Sequence, residues 1–246
     1  MITGGSSGIG AALARKLAGR GWQCVLLARG LERLRQVAAE LEGEAETCDV
    51  SDREAVEGAA ARVGERHPAV HLLVLAAGIP GRKGFLELEP ERIEEVLRIN
   101  YLGSVWSLLA FLPLLDAGAP SDVVTVASVA GTVAVPRSGP YSASKHAQLA
   151  FARSVAAELA PRGIRMHAIN PGPVPTPGFP QDRLEDKAWS RLVLRSPEQV
   201  ADAVVRAVER GRPEVAVPRG LRVVAAAQAL FPGTLARVTA KRAQRP

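Results

Sequence analysis

The 246-residue chain is predicted to be a single α/β domain on a doubly wound parallel sheet whose first strand is truncated. Three observations carry this. Short apolar, strand-like runs alternate with helix-like segments throughout the chain, and such alternation folds into a parallel sheet with right-handed crossovers. Glycines cluster over residues 4–10, where a strand should hand over to a helix. No internal repeat, low-complexity block or polar linker divides the chain, and its length suits one large domain.

Residues 3–10 read TGGSSGIG, and Ala11 to Arg20 continues as a helix. Glycine lets the backbone approach a pyrophosphate closely, and a helix N-terminus offers free N–H groups and a positive dipole end. Taken alone, the stretch reads equally well as a plain loop. Only Met1 and Ile2 precede it, where a strand of about five residues belongs. The expectation is that the neighbouring strands are left with unpaired groups and that the natural chain begins several residues upstream.

Trp22 to Ala28 is a buried strand followed directly by Arg29. In a dinucleotide fold this point faces the adenosine ribose, where an acid binds the 2′-hydroxyl of NAD. Arg29 suits a 2′-phosphate better; otherwise it is a solvent-exposed residue opening the helix Leu31 to Leu41. Glu44 to Cys48 is the third strand. Asp49 is placed against the adenine amino group, because Ser51 and Asp52 are the better caps for the helix Arg53 to Arg66. His71 to Ala76 is the fourth strand and ends in Ala77-Gly78. Pro90 opens a helix over Glu91 to Leu115. Asn100 lies inside it among apolar neighbours and must satisfy its amide, with backbone and water or within a site.

Val123 to Ala127 is a fifth, buried strand leading to Ser128, and Tyr141 to Leu159 is a helix. Gly163 to Ile169 is a sixth strand. Four prolines between 171 and 177 forbid regular structure, so 173–195 reads as a long functional loop with a short helix near Glu185 to Arg191. Ser196, Pro197 and Gln199 form a helix start, with Ser as N-cap, Pro at N1 and Gln at N3. That helix runs to about Arg210, and Glu214 to Val217 is the last strand. The tail 220–246 carries an apolar stretch, Val223 to Phe231, broken by Pro232-Gly233. Three uses are weighed for it, in this order: covering the substrate pocket, packing in an oligomer, and lying on a membrane surface.

The net charge of +6 allows anionic partners, including phosphates and acidic carrier proteins. The basic residues read as scattered, with a modest cluster at Lys241, Arg242 and Arg245. Aromatic residues make up 4%, which speaks against nucleic-acid binding. No run of 18 apolar residues marks a membrane span and no secretory signal precedes the first motif. Cys24 and Cys48 lie in strand-like segments and read as buried thiols of a cytoplasmic protein. His67, His71, His146 and His167 show no metal-ligand spacing.

Three groups can do chemistry together: Ser128, Tyr141 and Lys145. Tyr141 and Lys145 are one helical turn apart and share a face. A phenol has a pKa near 10, and a nearby ammonium favours the phenolate. Lowering it by about two units takes roughly 2.7 kcal/mol. A hydroxyl on Ser128 would hold a carbonyl while Tyr141 protonates it. Alone, Tyr-x-x-x-Lys reads as a solvated helix face.

In combination these residues resemble the short-chain dehydrogenases/reductases over roughly residues 3–217. TGGSSGIG is similar to that family's TGxxxGIG turn, Ser128 with Tyr141 and Lys145 to its serine and YxxxK pair, Asn100 in INYLGS to its helix asparagine, and NPGPVPT at 170–176 to its nicotinamide-side loop. The resemblance implies a Rossmann-like fold and an NADP-dependent oxidoreductase acting on a carbonyl/alcohol pair. Gly4, Ser6, Ser7, Gly8, Ile9 and Gly10 would form the phosphate turn. Arg29 would meet the 2′-phosphate, Asp49 and Val50 the adenine, and Ala77 and Gly78 would border the cofactor. Tyr141 would be the acid/base, and Lys145 would lower its pKa and bind the nicotinamide ribose. Ser128 would hold the substrate oxygen, and Asn100 a water linking Lys145 to solvent. Pro171, Gly172, Val174 and Thr176 would frame the carboxamide. A homodimer or homotetramer is expected.

Two other readings stand beside this one: a non-catalytic NADP-binding regulator on the same fold, and a 3-oxoacyl-acyl-carrier-protein reductase within the enzyme class. The family's NNAG is Leu75-Ala76-Ala77-Gly78 here, which puts the usual side-chain bracing of the sheet in doubt.

Overall fold

The computed structural model describes residues 1–81, 83–134, 138–179, 190 and 192–233. Its strands are β1 (Ile2–Thr3), β2 (Val25–Ala28), β3 (Glu44–Thr47), β4 (Leu72–Leu75), β5 (Ser121–Val126), β6 (Ile164–Pro171) and β7 (Glu214–Val217). They form one sheet in the order β3-β2-β1-β4-β5-β6-β7, parallel throughout. The helices are α1 (Gly8–Ala18), α2 (Leu31–Glu40), α3 (Arg53–Arg66), α4 (Pro90–Leu97), α5 (Gly103–Ala117), α6 (Gly139–Leu159), α7 (Pro197–Glu209) and α8 (Leu221–Leu230). The chain winds outward from β1 to β3 and then returns to β4 on the other side of β1. The loops after β1 and β4 therefore diverge, leaving a crevice at the carboxyl ends of the strands.

Both sheet faces are covered, so the strands read as continuous apolar runs. Successive side chains point to opposite faces. Leu26 and Val74 join Leu13, Leu17, Val200 and Val204 in one core. Leu27, Leu73 and Leu75 join Val56, Val63, Phe111 and Leu149 in the other. The predicted caps hold. Asp52 accepts from Glu54 N and Ala55 N at the start of α3, and Ser196 with Gln199 forms a capping box on α7.

Four details differ from expectation. The predicted helix 91–115 runs from Pro90 to Ala117 and includes one π turn, Arg98–Leu102. It is long and apolar enough to cross a membrane by length and composition, yet Val96, Ile99, Leu108, Phe111 and Leu115 are buried in the protein. The sixth strand continues to Pro171, because β7 pairs with it through Asn170 and Pro171. The short helix expected near 185–191 falls largely outside the described residues.

The fourth concerns the truncated strand. β1 has two residues, but Met1 extends its pairing: the terminal ammonium donates to Leu72 O (2.9 Å) and Val74 N donates to Met1 O (2.9 Å). A cavity of about 450 Å³ lies beside Met1, lined by Trp22, Val25, Val70 and Leu72 among others. The missing asparagine bracing is taken over by Thr3. Its hydroxyl accepts from Ala76 N (3.1 Å) and Ala77 N (3.3 Å) and lies 3.3 Å from Val74 O.

Candidate active site

Three elements bring the reactive groups together. Ser128 leaves β5 and caps a short 3₁₀ turn, Val129–Gly131, accepting from Ala130 N at 3.1 Å. Its hydroxyl also reaches Pro171 O at 3.4 Å, which ties it to the end of β6. Tyr141 and Lys145 stand one turn apart on α6. The Ser128 hydroxyl stands near enough to the Tyr141 phenol to lower its pKa. The Tyr141 ring packs on Phe179, with centroids 5.4 Å apart, and the Lys145 ammonium lies 5.7 Å from the Tyr141 ring centre.

The electrostatics correct the expectation for Tyr141. Its pKa is pushed up to about 12 by burial, against a smaller lowering from Ser128. Lys145 is itself pushed down to about 7 by desolvation. Lys145 is 4% exposed, and its ammonium is turned toward Val126 O and Gln148 Oε1, both at 2.8 Å. Shared helix spacing placed the two residues together, but burial is what sets both values.

The lowered lysine carries a testable consequence. Its folded value of about 7 lies below the usual 10.5. Between these values the unfolded chain holds a proton that the folded chain lacks, so stability rises with pH, by up to about 1.36 kcal/mol per unit. Below the folded value both states are protonated and the term is flat. Urea unfolding between about pH 7.5 and 9.5 is expected to show the wild-type protein gaining about 2 kcal/mol more than Lys145→Met. Equal slopes would show that the ammonium is solvated.

Asn100 sits in the π turn and is fully buried. Its Oδ1 accepts from Ile79 N (2.8 Å), and its Nδ2 donates to Ile79 O (3.0 Å) and Ser144 Oγ (3.0 Å). The side-chain amide is thus committed to the loop after β4 and to α6. A buried chain then runs from Lys145 Nζ to Gln148 Oε1 (2.8 Å), from Gln148 Nε2 to Ser104 Oγ (2.8 Å), and from Ser104 Oγ to Asn100 O (3.1 Å). Gln148, Ser104, Ser144 and Phe179 were missed in the sequence. The available signal was spacing: Gln148 is three residues after Lys145, and Ser104 four after Asn100. Gly78 fills the gap beside this chain; a Cβ there would lie 3.3 Å from Asn100 Oδ1 and 3.8 Å from Lys145 Nζ.

The glycine turn lies at the same end of the sheet. Ser7 is the N-cap of α1 and makes no side-chain cap bond, so the first-turn N–H groups around Gly8, Ile9 and Gly10 remain available to a ligand. Gly8 has φ +54°, and a Cβ there would meet Thr176 Cγ2 at 3.0 Å. The turn and the loop after β6 therefore close on each other across a narrow gap. Ser6 is partly exposed, and Gly4 packs against Ala77. Gly172 N donates to Val217 O at 2.8 Å, Val174 is buried, and Thr176 pairs with Phe179. This set fits a dinucleotide: open helix N–H groups, close backbone approach, and walls on both sides.

At the adenosine end the structure pairs the two expected residues, Arg29 and Asp49, with each other, which was not anticipated. β2 and β3 are neighbours, with Ala28 opposite Thr47, so the residues that follow each strand meet. Arg29 Nη1 lies 3.7 Å from Asp49 Oδ2, both partly exposed. Asp49 Oδ1 also accepts from Ser51 N (2.9 Å) and Ser51 Oγ (2.7 Å). Asp49 thus takes part in turn chemistry as well as pairing with Arg29. Val50 beneath it is buried against Gly103.

Comparison with known proteins agrees with this geometry. A family model described as short chain dehydrogenase matches residues 1–187. A protein of Streptomyces coelicolor named as a ketoacyl reductase is 34% identical, with 86% of this chain and 83% of that one covered. Dehydrogenase/reductase SDR family member 7B of Xenopus laevis is 32% identical, with 88% and 72% covered. An actinorhodin polyketide ketoreductase solved with NADPH has a TM-score of 0.80 and 31% identity, with 89% and 95% of the two chains covered. Fold and site together define a nicotinamide-dependent oxidoreductase. The chain belongs to the short-chain dehydrogenase/reductase family.

Proposed function

We propose that this chain reduces a carbonyl group with NADPH, and in reverse oxidises a secondary alcohol, with Tyr141 as the acid/base. The carrying observation is the convergence of Ser128, Tyr141 and Lys145: the Ser128 hydroxyl acts to lower the Tyr141 pKa, and the Lys145 ammonium lies 5.7 Å from the Tyr141 ring centre. Bound NADPH supplies the hydride. Ser128 and Tyr141 hold the substrate oxygen between them, and the Tyr141 proton passes to it as negative charge develops. A phenol held near pKa 12 stays protonated at neutral pH, which is the form reduction needs. Lys145 holds a donor beside the ring, and Gln148, Ser104 and Asn100 hold Lys145. Pro171, Gly172, Val174 and Thr176 wall the nicotinamide end, and residues 173–195 select the substrate. The intact set Asn100, Ser128, Tyr141 and Lys145 weighs against a non-catalytic regulator.

β-Ketoacyl thioesters are the first substrate class to try, because similar proteins are named ketoacyl reductase or polyketide ketoreductase. The NADPH preference rests on Arg29. A guanidinium–phosphate contact contributes about 1.5–3 kcal/mol, roughly ten- to a hundredfold in affinity. Asp49 positions the guanidinium but also draws on its charge. NADPH oxidation should be followed with a panel of ketones and β-ketoacyl thioesters, and both cofactor dissociation constants measured. Wild type is expected to favour NADPH at least tenfold, and Arg29→Ala to lose that preference. Equal affinity for the two cofactors in wild type would make Arg29 a surface residue. Failure of every carbonyl compound to consume NADPH would remove the proposed reaction.

A further inference from the structure

The tail of this protein is set apart by charge. From Val215 to Pro246 there is no Asp or Glu, and there are six Lys or Arg residues. Those six equal the whole net charge of +6, so residues 1–214 are electrically balanced.

The described part of the tail is also apolar on its outer face. In α8, Arg222, Val223, Ala226, Ala229 and Leu230 are exposed, the spacing of one helical face. Val223 and Leu230 are each 72% exposed and the following Phe231 is 61%. The inner side is anchored: Leu221 lies against Gly172, where an added Cβ would meet its Cδ1 at 2.6 Å.

A groove of about 570 Å³ adjoins α8, between α7 and β7, and Arg206, Arg210, Arg212 and Arg219 line it. The neighbouring carboxylates are already engaged. Asp202 pairs with Lys16, Glu209 with Arg20 and Glu214 with Arg153. Among the described residues no ion pair engages Arg206, Arg210, Arg212 or Arg219, so their charge is left for a partner.

We propose that α8 and this arginine-lined rim form a docking surface for an anionic lipid bilayer. The apolar face of α8 sits at the acyl boundary, while the arginines meet lipid phosphates. Exposed apolar side chains and basic residues together are what interfacial binding uses. The helix has ten residues, about 15 Å of rise against a hydrocarbon core of about 30 Å, so it lies on the bilayer rather than spanning it. A second copy of the chain is the poorer occupant. A two-fold contact would bring together the same surface from both copies, and the tail has no acid of its own to meet its arginines.

α8 follows the carboxyl end of β7, the edge of the sheet that carries the crevice. Docking would therefore hold the substrate entrance near the membrane.

Flotation of the full chain with vesicles tests the proposal, using phosphatidylcholine alone and phosphatidylcholine mixed with phosphatidylglycerol. Wild type is expected to float at least tenfold more with the anionic vesicles, and less at high salt. Val223→Asp with Leu230→Asp alters only exposed positions; it should keep the wild-type thermal midpoint and lose flotation at least tenfold. Arg206→Ala with Arg210→Ala should weaken flotation and flatten its salt dependence. The proposal fails if wild type does not float, if the double Asp variant floats as well as wild type, or if sedimentation shows a dimer that this variant dissociates while no vesicle binds.

Discussion

Tyr141→Phe is expected to bind cofactor as the wild type does and to lose turnover by about 10²–10⁴-fold. The phenol is the proposed proton donor, and Ser128 beside it lowers its pKa. The ring that remains still packs on Phe179 and under the Lys145 ammonium, so the fold and the cofactor walls keep their support. Turnover should be measured beside a cofactor dissociation constant. More than a tenth of wild-type turnover would mean that the proton comes from elsewhere, and a lost cofactor affinity would assign the hydroxyl to binding instead.

Gly10→Ala is expected to abolish cofactor binding, weakening it by at least about a hundredfold, and to destabilise the chain by about 1–3 kcal/mol. A Cβ at Gly10 would lie 2.4 Å from Gly4 O and 2.9 Å from Gly4 C, both backbone atoms. Gly4 has no room to retreat, because it is itself packed on Ala77 at the end of β4. The turn must open, and its N–H groups then lose their common aim. Gly64→Ala is the control: its Cβ would meet Leu114 at an ordinary 3.6 Å inside α3. Cofactor titration and thermal unfolding of both variants check this. Wild-type affinity in Gly10→Ala would show that the turn adapts.

Much of this was legible before the structure. The runs Trp22 to Ala28, His71 to Ala76 and Val123 to Ala127 announce buried parallel strands, and the glycine turn announces the switch point between β1 and β4. Ser128, Tyr141 and Lys145 meet where their spacing suggested. What the sequence withheld depends on packing between distant segments. Gln148 and Ser104 are ordinary polar helix residues until α5 and α6 are laid side by side. Phe179 reaches Tyr141 only once the loop after β6 folds back. The Arg29–Asp49 pair exists because β2 and β3 adjoin. The fall of the Lys145 pKa is a burial effect, and burial belongs to the assembled core rather than to any local pattern. The charge concentration in the tail was written in the sequence, but it gained meaning only beside the exposed face of α8.

The contacts of Lys145 have a consequence in valence. An ammonium has three N–H bonds to give. Two go to Val126 O and Gln148 Oε1, groups that belong to the frame of the molecule. Among the described residues one arm is left, and it lies beside Gly78, where an added Cβ would be 3.8 Å from Nζ. Lys145 is therefore a hub with a single open valence, and the oxygen atoms that enter this end of the crevice compete for one donor. The order in which they take it, rather than the size of the charge, is what this lysine imposes.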